Sequence, residues 1–131
     1  MKIIKQKTDN DCVLCCVAII AELTYKQARN LFPLIKDPPY SSYEMKLALT
    51  KIGFYCDYSD PNHTYSNSLM TMAVPSLNFP AIHHQIVADT RTKQYKIYDP
   101  NKGVEGRKFY KEWEDIKGFA DVIRLINVNI I

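Results

Sequence analysis

Apolar positions recur at two spacings along the chain, and the switch between them divides it. From Asp9 to Leu23, DNDCVLCCVAIIAEL, the residues Val13, Cys16, Val17 and Ile20 fall at helical intervals on one apolar face, with Asn10 or Asp11 as cap and Cys12 in the first turn. Thr24 caps a second, short helix in YKQARNLF that ends before Pro33, and the proline-bearing LIKDPPYSS is a loop. Ser41 or Ser42 caps a third helix, whose apolar positions are Met45, Leu47, Leu49 and Ile52 and whose stop is Gly53.

Beyond Gly53 the period becomes that of strands: Phe54 to Tyr58, LMTMAV, HHQIVAD, QYKIYD and finally FADVIRLINV. Between them lie the turn-rich DPNHTYSNS, which carries His63, the proline-flanked crossover PSLNFPA, and the glycine-bearing loop NKGVEGR. FYKEWEDIK reads as a short helix anchored by Phe109 and Trp113. Helices first and an antiparallel sheet after them predict an α+β fold with the cysteine helix packed on the sheet.

HHQIVAD and QYKIYD face each other across TRTK as an antiparallel hairpin. If His84 points inward, alternation turns Ile86 and Ala88 inward and leaves Gln85, Val87 and Asp89 outside; choosing His83 would turn Gln85 and Asp89 inward instead. Alternation therefore favours His84. On the opposing strand Asp99 shares a face with Ile97 and Tyr95, while Lys96 and Tyr98 point out, and direct cross-strand pairing would set Asp99 beside His84.

Composition narrows the class without changing this picture. A chain of 131 residues with 47% hydrophobic and 24% charged residues suits one globular domain. The net charge of +3, from 17 basic and 14 acidic residues, is spread without a run of like charge, and no nucleic-acid partner is expected. No segment reaches the roughly eighteen apolar residues of a membrane span, and the charged start MKIIKQKTDND lacks a signal core. A cytoplasmic location is expected, or delivery into a target cell as part of a larger protein. Three of the four cysteines crowd at 12, 15 and 16, unlike a secreted disulfide framework, and Cys15 and Cys16 read as buried thiols.

The chemistry follows from position. Cys12 at a helix N-terminus meets free N–H groups and the positive end of the helix dipole, which favour a thiolate. The upstream Gln6 carries an amide able to donate to an oxyanion. A histidine at a strand start and a carboxylate ending the next strand supply a base and an orienter. His63 lacks a positioning element and reads as a solvated loop residue.

With Gln6, Asp11-Cys12-Val13, His84-Gln85-Ile86-Val87 (or the frame from His83) and Asp99-Pro100 in this order, the chain resembles the papain-like cysteine peptidases that process bacteriocin leaders at double-glycine motifs. The segments YKQARNLFP and SSYEMKLALTKIGFYCDY are similar to that family's two short helices and following strand. The resemblance implies a papain-like fold and a cysteine peptidase: Cys12 as nucleophile, His84 or His83 as base, Asp99 as orienter and Gln6 at the oxyanion. It implies a peptide or protein substrate and no cofactor, with a transporter, immunity or carrier protein as further partner. The family's interval from histidine to aspartate is one residue longer, which selects His83 where alternation selects His84. The family's glycine after the cysteine is Val13 here, which narrows the approach to the thiolate.

Competing readings start from the same residues. A papain-like toxin or effector domain, protease or deamidase, would share the acyl-enzyme intermediate. A catalytically silent papain-like binding module is a further alternative. The C-x-x-C of Cys12 and Cys15 with a histidine suggests zinc, but no second ligand pair stands at metal spacing, so no metal is expected. A thioredoxin-like role lacks the βαβ context.

Overall fold

A computed structural model describes residues 1–59 and 66–126 of the chain. His63, the middle of its loop and the end expected for the last strand lie outside the described residues.

Three helices come first. The first, α1 (Cys12–Ala21), buries every residue from Val13 to Ile20. The expectation of a single apolar face is thus too narrow: apolar residues all round make α1 a central helix, wrapped by neighbours on all sides. It ends on Glu22 in the left-handed conformation (φ 57°), with Leu23 N–H bonded to Ala18 O at 3.0 Å. Next comes α2 (Tyr25–Arg29), entered through a capping box of Thr24 and Gln27 and ending short of the expected Phe32.

The third helix, α3 (Ser42–Lys51), has the same device in Ser41 and Glu44. Lys36 Nζ lies 2.6 Å from the Glu44 carboxylate, which holds that carboxyl below its usual range. At the far end Gly53 adopts φ +94°, and Gly53 N–H and Phe54 N–H bond back to Thr50 O and Leu49 O. That pair of bonds needs a left-handed residue at position 53, so glycine stops the helix as expected. The buried face of α3 is Met45, Ala48 and Leu49; Leu47 and Ile52, the other two expected apolar positions, are exposed.

The sheet follows, with β1 (Tyr55–Ser59), β2 (Leu69–Pro75), β3 (His83–Asp89), β4 (Lys96–Tyr98) and β5 (Ala120–Ile126). Its order is β1-β5-β2-β3-β4, every neighbour antiparallel. One face packs on the helices through Leu69, Val87, Ile123 and Leu125. Met70, Met72, Val74, Ile86, Ala88 and Val122 on the other face meet Tyr110, Trp113, Ile116 and Phe119. The architecture is the α+β arrangement expected, with α1 packed on the sheet.

Double coverage corrects the one-sided reading of the hairpin. Val87 is fully buried against the helices and Gln85 is buried with its amide donating to Thr71 Oγ1 at 2.8 Å, so neither lies outside. Tyr98 packs against the helical cluster and does not point into solvent. The second layer is not the expected helix: within FYKEWEDIK only Trp113–Asp115 forms a single 3-10 turn. Tyr110, 3% exposed, and Trp113 anchor it, while Phe109 is only half-buried.

Candidate active site

Cys12 opens α1 and is half-buried. Asp11 occupies the cap position but its side chain does not cap the helix, and Asn10 Oδ1 instead accepts from Thr8 Oγ1. The Asp11 carboxylate turns back: its Oδ2 accepts from Lys7 N–H (2.9 Å), Thr8 N–H (3.3 Å) and the Tyr25 hydroxyl (2.6 Å). The expected cap is thereby corrected, and the first-turn N–H groups stay free of side-chain acceptors. Cys15 and Cys16 lie deeper on the same helix, and all four cysteines are free thiols. Burial pushes the Cys15 thiol far up, with help from the Asp11 and Cys12 charges, and raises Cys16 likewise.

His84, 7% exposed, is the second residue of β3, after His83, and lies beside Asp99. Its Nε2 lies 2.6 Å from Asp99 Oδ1, and the side chain lines the same two pockets as Cys12. With Nε2 given to Asp99, Nδ1 is the nitrogen left for sulfur. Burial alone would lower the imidazole pKa, but the Asp99 hydrogen bond, the neighbouring Cys12 and the charges of both outweigh it and raise it to about 9.

Asp99 lies just past β4 and is 1% exposed. Asn101 N–H donates to its Oδ1 and Tyr110 N–H to its Oδ2, both at 2.8 Å. The ladder pairs Val87 with Tyr98 and Ala88 with Ile97. Continued by one residue, this register puts Asp99 opposite Ile86, not opposite His84 as expected. The face is right and the contact is diagonal, a separation that two long side chains can bridge.

Gln6 is tied by its backbone N–H to Pro100 O at 3.0 Å, and its Nε2 donates to Thr8 O at 3.0 Å. It lines a small pocket of about 30 Å³ with Cys12, His84, Asn101 and Arg107. On the other side of Cys12 and His84 opens a larger cleft, about 520 Å³, walled by Val13, Tyr40, Tyr43 and Tyr58. His83 is exposed, pairs with Pro75 in the ladder and borders both spaces. Among the described residues no group of three or more His, Cys, Asp or Glu side chains could hold a metal ion.

Sequence reasoning did not find Asn101, Tyr110 or Tyr25 as parts of this arrangement, and it read Asp11 as a cap and motif residue, not as the acceptor for Lys7, Thr8 and Tyr25. Asn101 and Tyr110 act on Asp99 through backbone N–H groups, which leave no mark in residue type, although an asparagine two residues after an aspartate is itself a turn signal.

A family model for peptidase C39 matches residues 1–119. The chain belongs to the peptidase C39 family. Membership makes it a cysteine-type peptidase. Two solved structures share the C39 fold with it. One is the peptidase domain of Streptococcus ComA, a bi-functional ABC transporter involved in a quorum sensing pathway: 16% identity, 95% of this chain and 96% of that chain covered, TM-score 0.62. The other is the peptidase domain of Streptococcus mutans ComA in complex with a small molecule inhibitor, at 18% identity, 95% and 98% coverage and TM-score 0.55. The comparison with curated proteins returns no match. No helix among the described residues of this C39 peptidase is long and apolar enough to cross a membrane.

Proposed function

We propose that a single peptidase domain cleaves a peptide bond with Cys12 as nucleophile, His84 as general base, Asp99 as its orienter, and Gln6 with the Cys12 backbone N–H binding the oxyanion. The observation that carries this reading is the imidazole held by a buried carboxylate at 2.6 Å while lining the same pockets as the cysteine at the start of α1. His84 takes the thiol proton and the thiolate attacks the amide carbonyl. The negative oxygen is met by donors that need not reorganise, and His84 then protonates the leaving amine. Water resolves the thioester by the same base.

The substrate this reading favours is a peptide carrying a leader, cut behind it, in keeping with the resemblance to leader peptidases. The ComA domain belongs to a transporter, and a transporter on the cytoplasmic side of a membrane is the delivery partner this reading favours. His83, exposed and with no carboxylate partner among the described residues, is the weaker candidate for this role.

Labelling with a peptide aldehyde or an E-64-like epoxide, followed by intact mass and peptide mapping, tests the assignment. One label per chain at Cys12 is expected, slowed about a hundredfold or more by His84→Ala and little by His83→Ala. Equal, slow labelling of Cys12 and Cys56 in every variant would sink the enzyme mechanism.

A further inference from the structure

The turn that carries Gln6 is strapped to the protein through an acid and a phenol that take no part in the chemistry. Lys7 N–H and Thr8 N–H both end on Asp11 Oδ2, and the same oxygen receives the Tyr25 hydroxyl at 2.6 Å. Asp11 is fully buried, and its other oxygen, Oδ1, is buried without a partner. All the bonds that hold this carboxylate therefore converge on one atom. An aspartate at a helix cap would ordinarily accept from the N–H groups of the first turn. Here Tyr25 draws it back toward the preceding turn.

Tyr25 is itself fixed at the start of α2 by the Thr24–Gln27 capping box, and the Lys7 ammonium lies over its ring at 4.4 Å. On the far side the Gln6 backbone is tied to Pro100 O, next to Asp99. Within the turn one hydrogen of the Gln6 amide is spent on Thr8 O, which orients the group and leaves the second hydrogen for a ligand.

We propose that Tyr25 is a positioning residue for oxyanion binding: through Asp11 its hydroxyl sets the 6–8 turn, and so the Gln6 amide, relative to Cys12. This rests on the role assigned to Gln6 above. It separates two reactions of the same thiol. Acylation by an ester passes through a tetrahedral oxyanion, whereas displacement of iodide from iodoacetamide does not.

The test is the ratio of Cys12 acylation by p-nitrophenyl acetate to Cys12 alkylation by iodoacetamide in wild type, Tyr25→Phe, Gln6→Ala and the double variant. Gln6→Ala should lower the ratio about a hundredfold, the usual effect of one lost oxyanion donor, and Tyr25→Phe about tenfold, with alkylation within about twofold of wild type throughout. The double variant should fall no lower than Gln6→Ala, because both act through one amide.

A Tyr25→Phe ratio equal to wild type, with Gln6→Ala lowered, overturns the positioning role and leaves Gln6 standing. An unchanged Gln6→Ala ratio overturns the oxyanion assignment and this proposal with it. If Tyr25→Phe does not fold, Asp11→Asn weakens the strap from its other end; it must lower the ratio, and an unchanged ratio again overturns the proposal.

Discussion

Three N–H groups end on the two oxygens of Asp99: the His84 ring, Asn101 and Tyr110. The Asp99 hydrogen bond and charge, with Cys12 nearby, outweigh burial and raise the His84 pKa to about 9. Because the folded pKa exceeds the ordinary 6.5, the imidazolium stabilises the fold fully below about pH 6.5. That contribution drains away as the pH rises through about 9. Asp99→Asn and Cys12→Ala should each lower the His84 titration midpoint followed by its ring-proton NMR signal, Asp99→Asn the more. Midpoints unchanged in both variants would contradict the assignment. At this scale the sequence is legible in residue type and in which residues share a face, but with both faces of the sheet covered alternation does not by itself choose between His83 and His84. It does not give register, because the hairpin loop length sets which residues stand opposite. Nor can residue type reveal the Asn101 and Tyr110 backbone donors.

Elements were legible where local chemistry is self-contained. The capping boxes Thr24–Gln27 and Ser41–Glu44 and the Gly53 stop lie within a few residues of chain, and α2 and α3 start where they predict. Where packing from distant chain decides, the pattern misleads. FYKEWEDIK has helical spacing, but Tyr110 and Trp113 are recruited by the sheet's second face and the backbone forms no regular element before the 3-10 turn. On α1, Val13 serves two environments, since it belongs to the helical core and also walls the large cleft beside Cys12. Val13→Gly should cost about 2–3 kcal/mol in denaturant unfolding, chiefly lost burial. In return the wall recedes from the thiolate. Across peptides that differ in the residue donating the scissile carbonyl, kcat/KM for a bulky residue should rise about tenfold relative to glycine, the scale of a methylene or two of pocket space. An unchanged preference would show that Val13 does not set the approach.

Across the whole molecule, the site is a seam between segments far apart in sequence. The N-terminal turn brings Gln6 and Cys12, the middle crossover brings Phe79, and the loop after Asp99 brings Asn101 and Arg107. Arg107 pairs with Asp9 and stacks its guanidinium over Phe79 at 4.6 Å, so a single side chain ties three loops together beside the 30 Å³ pocket. Asp9 is 67% exposed, and an ion pair so open to water contributes about 0–1 kcal/mol. The tie is therefore cheap to break but well placed to limit access. Arg107→Ala should leave the unfolding temperature within about 2 °C of wild type. It should nevertheless speed alkylation of Cys12 by a bulky fluorescein iodoacetamide relative to iodoacetamide itself, because small reagents already reach the thiol through the 520 Å³ cleft. If both reagents keep their relative rates while the stability holds, the three loops do not gate that side of the site, and the narrowness of the small pocket is set by the backbone alone.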